Sequence, residues 1–408
     1  MSEFKTYTLE QLCIVGSSKR VHLSDYVQQG VPFYRSKEVI EISSGKNISE
    51  QLFISSEKYS EIKSKFPVPQ ENDVLITAVG TIGEILVVKD PNFYFKDGNL
   101  IWLRNINFDI IDIDYLYYFF KSDLFQKTIR YNNIGAVQKA LTIDFLKTVK
   151  ITLPSLDNQR KLISVLKSID KKIQINSQIN QELEAMAKTL YDYWFVQFDF
   201  PDQNGKPYKS SGGKMVYHPE LKREIPEGWG VEKLGDITIC HDSKRVPLSS
   251  NDRELVKGEI PYYGATGIMD YVNDYIFDGD YVLMAEDGSV MTEKGTPILQ
   301  RISGKNWVNN HAHVLEPIKN HSCKLLMMLL KDVSVMKIKT GSIQMKINQE
   351  NMNKIVVPAI PLKLLFEINQ KLEVIEKQQL NLIEENKQLT QLRDWLLPML
   401  MNGQVKVE

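Results

Sequence analysis

The feature that most constrains the fold of this 408-residue chain is that its second half repeats its first half. Short segments recur in the same order in both halves, although insertions and deletions change their spacing. The matched segments are Leu12 followed by Ser18-Lys19-Arg20 and Leu234 followed by Ser243-Lys244-Arg245; Val31-Pro32-Phe33-Tyr34 and Ile260-Pro261-Tyr262-Tyr263; Val74-Leu75-Ile76 before Gly80-Thr81-Ile82 and Val282-Leu283-Met284 before Gly288-Ser289-Val290; Gly135-Ala136-Val137-Gln138-Lys139 and Gly341-Ser342-Ile343-Gln344-Met345; and Val149-Lys150-Ile151-Thr152-Leu153-Pro154 and Ile355-Val356-Val357-Pro358. Such ordered repetition indicates duplication of one structural unit.

After the proline that closes each copy, the apolar pattern changes to steps of three and four residues, which is typical of the seam of a coiled coil. In the first copy the seam is predicted at Leu162, Val165, Ile169, Lys172, Asn176, Ile179, Leu183, Met186, Leu190 and Tyr193. In the second copy it is predicted at Leu365, Ile368, Leu372, Ile375, Gln379, Leu382, Asn386, Leu389, Arg393 and Leu396.

Each seam is uninterrupted by glycine or proline, and each helix is expected to have about 38 residues and a length of about 57 Å. Few surface helices of single domains are that long. Asn176 and Gln379 occupy corresponding seam positions, where a buried amide commonly fixes register and partner. The alternative is two ordinary amphipathic helices, each packed on its own domain.

These patterns predict an α+β chain with two similar α/β domains separated by two long helices that form an antiparallel coiled coil. A pseudo-twofold axis would give a dumbbell with one domain at each end. The predicted boundaries are a first domain at 1–154, a first helix at 155–198, a linker at 199–226, a second domain at 227–358 and a second helix at 359–402. The linker is predicted from the glycines and prolines between Asp199 and Pro226.

Bulk composition narrows the class of protein. No apolar run approaches the roughly 18 residues that span a membrane, so the chain is expected to be soluble and cytoplasmic. The cysteines Cys13, Cys240 and Cys323 form no CxxC pair, which argues against a disulfide framework or a zinc knuckle. The formal charge of −1 argues against indiscriminate binding of polyanions, because phosphate neutralisation needs an excess of Lys and Arg.

The sequence contains no motif that predicts a catalytic or cofactor site. It lacks the GxxxxGK[ST] phosphate loop, the GxGxxG dinucleotide motif and the Asn/Asp-Pro-Pro-Tyr motif of amino-methyltransferases. His311 and His313 could bind a metal, but their alternation better fits a strand with one polar face. Glu286 and Asp287 form an acidic turn, whereas the first copy has Ala78 and Val79 there. A non-catalytic protein without a metal or cofactor is therefore expected.

The chain resembles the specificity subunits of type I restriction–modification enzymes along essentially its whole length. The resemblance is carried by Ile225-Pro226-Glu227-Gly228-Trp229 with Leu234-Gly235-Asp236-Ile237, by the Gly-x-x-Gln turns at 135–138 and 341–344, and by the helices that follow Pro154 and Pro358. The second join departs from the usual acid or glutamine, having Pro361-Leu362-Lys363, so the start of that helix is not fixed by the pattern.

The resemblance implies that each domain is a target-recognition domain that reads one half of a split double-stranded DNA sequence. Two methyltransferase subunits would dock on the helices and bring S-adenosylmethionine, and restriction subunits would bring ATP and Mg. The seam residues expected to hold this docking surface together are Leu162, Ile169, Asn176, Leu183, Leu190, Leu365, Leu372, Gln379, Leu389 and Leu396. Two alternatives remain: a coiled-coil adaptor with two protein-binding heads, and a methyltransferase fused to a specificity chain.

Base reading requires loop side chains that donate and accept hydrogen bonds in a groove. The residues predicted to contact DNA in the first copy are Lys19, Arg20, Arg35, Lys37, Thr81, Asn133, Gln138 and Lys139. Those in the second copy are Lys244, Arg245, Thr266, Ser289, Ser342, Gln344 and Lys346. For each of them the alternative is an ordinary solvated surface residue. Neither the target sequence nor its gap length follows from these residues.

Overall fold

The computed structural model describes residues 4–132, 140–341 and 345–401. The chain divides into two compact units. Unit 1 comprises Met1–Ser177 and Glu384–Glu408, and unit 2 comprises Gln178–Ile383. Among the described residues, none of the helices combines the length and the apolar content that crossing a bilayer requires.

The strands of unit 1 are short and all precede its long helix. They are β1 (Lys5–Thr8), β2 (Ile14–Gly16), β3 (Tyr26–Val27), β4 (Val31–Tyr34), β5 (Leu52–Ile54), β6 (Val74–Thr77), β7 (Ile85–Val87), β8 (Tyr94–Phe95), β9 (Leu100–Arg104) and β10 (Lys150–Leu153). The helices are α1 (Leu9–Leu12), α2 (Ser36–Ser43), α3 (Ser56–Lys65), α4 (Ile113–Lys121), α5 (Asp123–Asn132), α6 (Ile143–Thr148) and α7 (Leu156–Tyr191), of which α7 continues into unit 2.

Two four-stranded sheets form the body of unit 1, with orders β2-β9-β6-β7 and β3-β5-β4-β8, and β1 pairs with β10. Strand β6 is buried on both faces because its side chains alternate between two layers. Val74 and Ile76 pack in the cluster that contains Tyr115 of α4. Leu75 packs in a second cluster with Val39 of α2. The sheet is thus covered on both sides, and its strand ends are held by a fully packed core.

The strands of unit 2 begin after α7. They are β11 (Met215–His218), β12 (Arg223–Pro226), β13 (Gly230–Lys233), β14 (Thr238–Cys240), β15 (Lys257–Tyr263), β16 (Ile268–Val272), β17 (Phe277–Asp278), β18 (Tyr281–Ala285), β19 (Leu299–Ile302), β20 (Lys305–Val308), β21 (Ala312–Pro317), β22 (Lys339–Thr340), β23 (Lys346–Ile347) and β24 (Val356–Ala359). The helices are α8 (Leu234–Ile237), α9 (Ser250–Leu255), α10 (Cys323–Leu330), α11 (Gln349–Asn353) and α12 (Leu362–Met401), of which α12 continues into unit 1.

One four-stranded sheet of unit 2 repeats the strand order of a sheet of unit 1, whereas the other four-stranded sheets of the two units differ in order. The order β14-β21-β18-β19 matches β2-β9-β6-β7, a second four-stranded sheet has the order β16-β15-β20-β17, and β13 pairs with β24 as β1 pairs with β10. The burial also repeats: Val282 and Met284 pack with Leu326 of α10, whereas Leu283 packs on the other face with Val308. The predicted duplication into two similar α/β domains is therefore confirmed.

Within unit 1, the first half of α7 packs against the last half of α12 in antiparallel fashion. Asn176 Nδ2 donates to Asn386 Oδ1 at 2.9 Å, and Arg393 Nη1 donates to Asp170 Oδ1 at 2.9 Å. A later residue of α12 therefore contacts an earlier residue of α7, as in an antiparallel pair. Leu166 and Leu400 are buried in the same cluster. Pro398 lies inside the last turns of α12 without ending it.

Within unit 2, the second half of α7 packs against the first half of α12 in the same antiparallel sense. Gln379 Nε2 donates to a carboxylate oxygen of Glu184 at 3.2 Å, and Ala187 shares a buried cluster with Leu372 and Leu365. Glu184 also pairs with Lys324 of α10, which ties the helix to the domain. The prediction of two long antiparallel helices is confirmed.

The predicted seam of the first long helix was wrong at Lys172, Ile179, Met186 and Tyr193, which are exposed, whereas Val165 is half-buried. Met186 is 58% exposed, and Ala187 beside it is buried. At this step the pattern offered two neighbouring apolar residues, and the smaller one is buried. The positions at Leu162, Ile169, Asn176 and Leu183 are buried as predicted, and Leu190 is half-buried. On α12, Leu365 and Leu372 are buried, and Gln379, Leu389 and Leu396 are half-buried.

The segment predicted as a linker at 199–226 is folded. Strands β11 and β12 form an antiparallel hairpin there, and Phe200 stacks on Trp229 with ring centroids 5.2 Å apart. Phe198 and Ile225 are buried in the main cluster of unit 2. The glycines and prolines therefore belong to turns of a packed segment and not to a linker. Aromatic residues in and around the segment give it a core.

Replacing Asn176 with aspartate should lower the free energy of unfolding by about 3 kcal/mol or more. The Asn176 side chain is fully buried, and its Nδ2 donates to Glu385 at 2.7 Å and to Asn386. An aspartate there would remove both donated hydrogen bonds and place a second carboxylate beside Glu385. Urea unfolding measures the effect, and Gln174→Glu is the matched control because it adds the same charge at an exposed position of α7. Equal loss of stability in both variants would contradict the assignment of Asn176 to the seam.

Candidate nucleic-acid interface

In unit 1, main-chain hydrogen bonds bring three chain segments together at the ends of β6 and β9. The Leu141 N–H donates to the Ala78 carbonyl at 2.9 Å, and the Ala78 N–H donates to the Asn99 carbonyl at 2.8 Å. Ser17 Oγ contacts the same strand end by donating to the Leu100 carbonyl at 3.4 Å. We call residues 17–20, 78–83 and 140–141 corner 1.

The same main-chain contacts recur in unit 2. The Ile347 N–H donates to the Glu286 carbonyl at 2.8 Å, and the Glu286 N–H donates to the His311 carbonyl at 2.9 Å. Asp242, which begins the third segment, accepts from the Val314 N–H at 3.1 Å. We call residues 242–245, 286–290 and 346–347 corner 2.

Strand register fixes which residues correspond in the two corners. Thr77 pairs with Leu100 in unit 1 and Ala285 pairs with Ala312 in unit 2, so Ile101 corresponds to His313. The isolated bridges Val79 with Ala140 and Asp287 with Lys346 are equivalent too. The corresponding pairs that follow are Ser17 and Asp242, Arg20 and Arg245, Ala78 and Glu286, Ile101 and His313, and Ala140 and Lys346.

Each corner contains an exposed glycine turn whose backbone requires glycine. Gly80 has a φ of 79° and Gly288 a φ of 73°, in the left-handed region that residues with a Cβ rarely adopt. Thr81 and Ser289 follow these glycines and are exposed. The bridges of Val79 with Ala140 and of Asp287 with Lys346 lie next to these turns. Residues about 60 positions apart in sequence are therefore neighbours in each unit.

Corner 2 is held together by a network of charged side chains. Arg245 Nη1 donates to Glu286 Oε2 at 2.7 Å, and Lys346 Nζ lies 3.0 Å from Glu286 Oε1. His313 is fully buried, with Nδ1 2.5 Å from Asp242 Oδ2 and Nε2 2.8 Å from the Ile347 carbonyl oxygen. The network thus links all three segments of corner 2.

The charges of this network hold its carboxyl groups in the ionised form. Burial by itself would raise the pKa of Asp242, but the hydrogen bond and charge of His313 and the charge of Arg245 lower it overall. Burial acts on Glu286 in the same way, and hydrogen bonds from Arg245 and Lys346 outweigh it, so that pKa is lowered too. Both carboxyl groups are therefore ionised at neutral pH in the folded corner.

Cys240 lies next to this network. Its Sγ lies within 4.8 Å of a carboxylate oxygen of Asp242 and of a ring nitrogen of His313, which is close enough for the three atoms to share a metal ion. Burial raises the pKa of the Cys240 thiol to about 12, so the thiol stays protonated at neutral pH. Both ring nitrogens of His313 are already engaged, and Arg245 Nη2 lies 3.3 Å from Asp242. We therefore describe these residues as a hydrogen-bonded charge network.

The residues of corner 1 that correspond to Asp242, Glu286 and His313 have neutral side chains. Ile101 is buried in the apolar cluster of unit 1, and Ala78 is buried beside it in the same cluster. Ser17 uses its hydroxyl to bond the Leu100 carbonyl, and it accepts from the Gly98 N–H at 3.4 Å. Arg20 is largely exposed and pairs with Asp97 at 2.8 Å. The two corners thus share one main-chain frame and differ in side chains.

The sequence model of the type I restriction modification DNA specificity domain matches residues 1–185 and 226–391. The chain belongs to this family.

Specificity subunits of type I restriction enzymes are similar to this chain over 65% to 96% of its length. The specificity subunit of the type I restriction enzyme MjaIX from Methanocaldococcus jannaschii is 26% identical over 96% of this chain and 91% of its own length. The specificity subunit of the type I restriction enzyme HindI from Haemophilus influenzae is 22% identical over 65% of this chain and 71% of its own. A crystal structure of a type I restriction–modification S subunit from M. genitalium covers 98% of this chain and 96% of its own at 16% identity, with a TM-score of 0.53, and so shares the fold.

Membership of the type I specificity family confirms the resemblance inferred from the duplicated motifs. Specificity subunits are non-catalytic components of restriction–modification complexes, which agrees with the lack of catalytic motifs in the sequence. The sites of function in this chain are therefore surfaces, and the two corners are the candidate DNA-contacting surfaces.

The residues predicted to contact DNA differ in their exposure and in whether they lie in a corner. Six of them lie in corner 1 or corner 2 with exposed side chains, two are exposed outside the corners, and two are half-buried by ion pairs. The exposed predicted residues are Lys19, Arg20, Lys37, Thr81, Lys244, Thr266, Ser289 and Lys346, and the half-buried ones are Arg35 and Arg245. Asn133, Gln138, Lys139, Ser342 and Gln344 lie outside the described residues. Their contacts with DNA stay predictions.

The two half-buried arginines have structural partners. Arg35 pairs with Glu38 at 2.6 Å at the start of α2, and Arg245 pairs with Glu286 and Asp242. Lys37 lies near Glu50 at 3.4 Å and remains exposed. Sequence analysis missed the supporting roles of Asp242, Glu286 and His313. A polar residue within an otherwise apolar buried strand, as His313 is between Ala312 and Val314, was the available signal.

Exposed apolar side chains lie on the long helices, beside the seam. In unit 2, Ile179 and Met186 lie seven residues apart on α7 and are 42% and 58% exposed. In unit 1, Leu392 and Trp395 lie three residues apart on α12 and are 42% and 63% exposed. An exposed tryptophan beside a leucine on a helix is typical of a surface that binds another protein.

Proposed function

We propose that this specificity chain reads a two-part DNA target, with corner 1 contacting one half-site and corner 2 the other. The observation that carries the proposal is the repeated main-chain frame of the two corners with diverged side chains. A conserved frame would present loops to a DNA groove in the same way in each unit. Different side chains on that frame would then select different bases.

The exposed residues of each corner have the chemistry that DNA contact requires. In corner 1, Lys19 and Arg20 supply positive charge beside the Thr81 hydroxyl. In corner 2, Lys244 and Lys346 supply the charge beside Ser289. Lysine and arginine neutralise phosphates, and hydroxyl groups can donate to or accept from base edges. Local charge of this kind can act in a chain whose formal net charge is only −1.

We assign the long helices to assembly with two methyltransferase subunits. The exposed Ile179 and Met186 of α7 and the exposed Trp395 of α12 support this assignment, because their spacing suits contact with a partner helix. The methyltransferase subunits would bring S-adenosylmethionine. Restriction subunits, joined through them, would bring ATP and Mg for translocation and cleavage.

Salt-dependent binding tests the proposed DNA contact against the alternative of a protein-binding adaptor. The chain assembled with its methyltransferase subunits should bind a duplex containing its two-part target about a thousandfold more weakly at 200 mM than at 50 mM salt, if it makes about six phosphate contacts. The same duplex with both half-sites scrambled should bind far less tightly at either salt concentration. Equal affinity for both duplexes would refute the proposal.

The helices are also expected to set the distance between the half-sites. Inserting seven residues after Ser177 and seven after Ile383, at the division between the units, keeps the seam in phase and lengthens each helix by about 10 Å. The unspecified gap of the methylated motif should then grow by roughly three base pairs. DNA twisting would absorb part of the rotation of about a third of a turn.

Insertions of five residues at the same points are the control, because they turn the two apolar faces away from each other. That variant should fail to assemble. A seven-residue variant that remains active with an unchanged gap would show that the helices do not determine the separation.

A further inference from the structure

The charge network of corner 2 has no equivalent in corner 1, although the main-chain frame around both is the same. Asp242, Glu286 and His313 stand where unit 1 has Ser17, Ala78 and Ile101. Their side chains are 13%, 11% and 1% exposed, so none of them presents more than an edge to solvent. They contact the segments that carry the exposed Lys244, Ser289 and Lys346, and so can hold those residues in position.

His313 bridges two segments of corner 2 through both of its ring nitrogens. Nδ1 faces a carboxylate oxygen of Asp242 at 2.5 Å, and Nε2 faces the carbonyl oxygen of Ile347 at 2.8 Å. Each partner offers an acceptor atom to the ring.

The ring joins the segments that carry the exposed residues. Its bond to Asp242 holds the segment of Lys244 and Arg245, and its bond to the Ile347 carbonyl holds the residue next to Lys346. Glu286 Oε2 lies 3.8 Å from Nδ1 and pairs with Arg245, which connects the glycine turn. Lys346 pairs with the other oxygen of Glu286, and the Cys240 thiol adjoins Asp242. Loss of the ring would leave both acceptor atoms without this partner in a buried site, which is costly.

We propose that His313 is a positioning residue for DNA reading by unit 2: it holds corner 2 together through the contacts of its two ring nitrogens, whereas corner 1 has the apolar Ile101 at the corresponding position. This inference rests on the proposed function. Base contacts lose discrimination when the loops that carry them are displaced by about 0.5 Å or more. Fidelity at the half-site of unit 2 therefore depends on His313, and fidelity at the half-site of unit 1 does not.

The test compares two variants of the full chain assembled with its methyltransferase subunits. His313→Ile introduces the residue found at the corresponding position of unit 1 but leaves Asp242 and Glu286 in place. The triple variant Asp242→Ser, Glu286→Ala and His313→Ile converts all three positions to their unit 1 counterparts and keeps Lys244, Arg245 and Lys346. His218→Ile on β11 is the control for loss of a histidine from unit 2.

The readout is competition binding to three duplexes: the target identified by methylation sequencing, the target with one base pair changed in the half read by unit 1, and the target with one changed in the half read by unit 2. In the wild-type complex each change should weaken binding roughly tenfold or more. His313→Ile should abolish most of that discrimination for the unit 2 half and preserve it for the unit 1 half. The triple variant should restore it, and His218→Ile should match the wild type.

Three results would overturn the inference. One is full discrimination by His313→Ile, and another is a triple variant as impaired as the single variant, which would mean that the network does not act as a unit. The third is loss of discrimination in both halves, which would show general disruption. A wild-type complex that distinguishes none of the duplexes would instead refute the proposed function, and the inference with it.

Discussion

Replacing residues 6–154 with the corresponding domain of another specificity subunit should change one half of the methylated sequence and leave the other half unaltered. The replaced segment contains β2–β10, all of β1 except Lys5, and all of corner 1. If each unit reads one half-site, as proposed, the original sequence should bind at least about 100-fold more weakly when three base pairs of one half no longer match. Methylation sequencing of a host that carries the chimera measures the change.

The design of the chimera must preserve the contacts between domain and helices within unit 1. Gln159 of α7 accepts from the Asp112 N–H at 2.9 Å, and Tyr118 bonds to Asp170. A donor domain with tyrosine at 118 and any residue other than proline at 112 is therefore required. Replacing 230–358 is the reciprocal control and should change only the other half. If either chimera altered both halves together, reading by independent units would be excluded.

The substitutions Leu183→Asp and Leu372→Asp should each abolish assembly with the methyltransferase subunits. Both leucines are buried in unit 2, at 7% and 1% exposure, and Leu372 belongs to the cluster that also contains Ala187 of α7. An unpaired carboxylate in such a site costs several kcal/mol, so the helices would separate and the surface they form would be lost. Co-purification with the methyltransferase subunits, followed by mass measurement of the complex, detects the loss.

Gln181→Asp and Gln370→Asp are matched controls, since they place the same charge at exposed positions of the same helices. These two variants should assemble normally. Complex formation by both leucine variants at wild-type levels would show that contact between α7 and α12 is not needed for assembly.

Periodic features of this fold could be predicted from the sequence because they depend on local physics. The ordered repeats located both domains, and the seam of α12 was predicted in the correct register from Leu365 to Leu396. On α7 the same pattern placed Met186 in the seam, although Ala187 is the buried residue. Hydrophobicity favours the larger side chain, but close approach of two helices favours the smaller one, and the sequence does not say which condition applies.

The supporting residues of corner 2 could not be predicted because they are brought together only by the sheet. Asp242, Glu286 and His313 are separated by 44 and 27 positions in sequence, and each has a different local context. Arg245 was predicted to contact DNA from its place beside Lys244, yet its guanidinium pairs with Glu286 and Asp242. Exposed and buried charges look alike in a single sequence, and only the strand register distinguishes them.

Sequencing of DNA methylation in a host with and without this gene tests whether the chain directs methylation to one DNA sequence made of two separate halves. Deletion should remove methylation from one two-part motif with a fixed gap, at every genomic copy, and reintroducing the gene should restore it. Unchanged methylation after deletion, or loss from a single uninterrupted motif, would contradict this prediction.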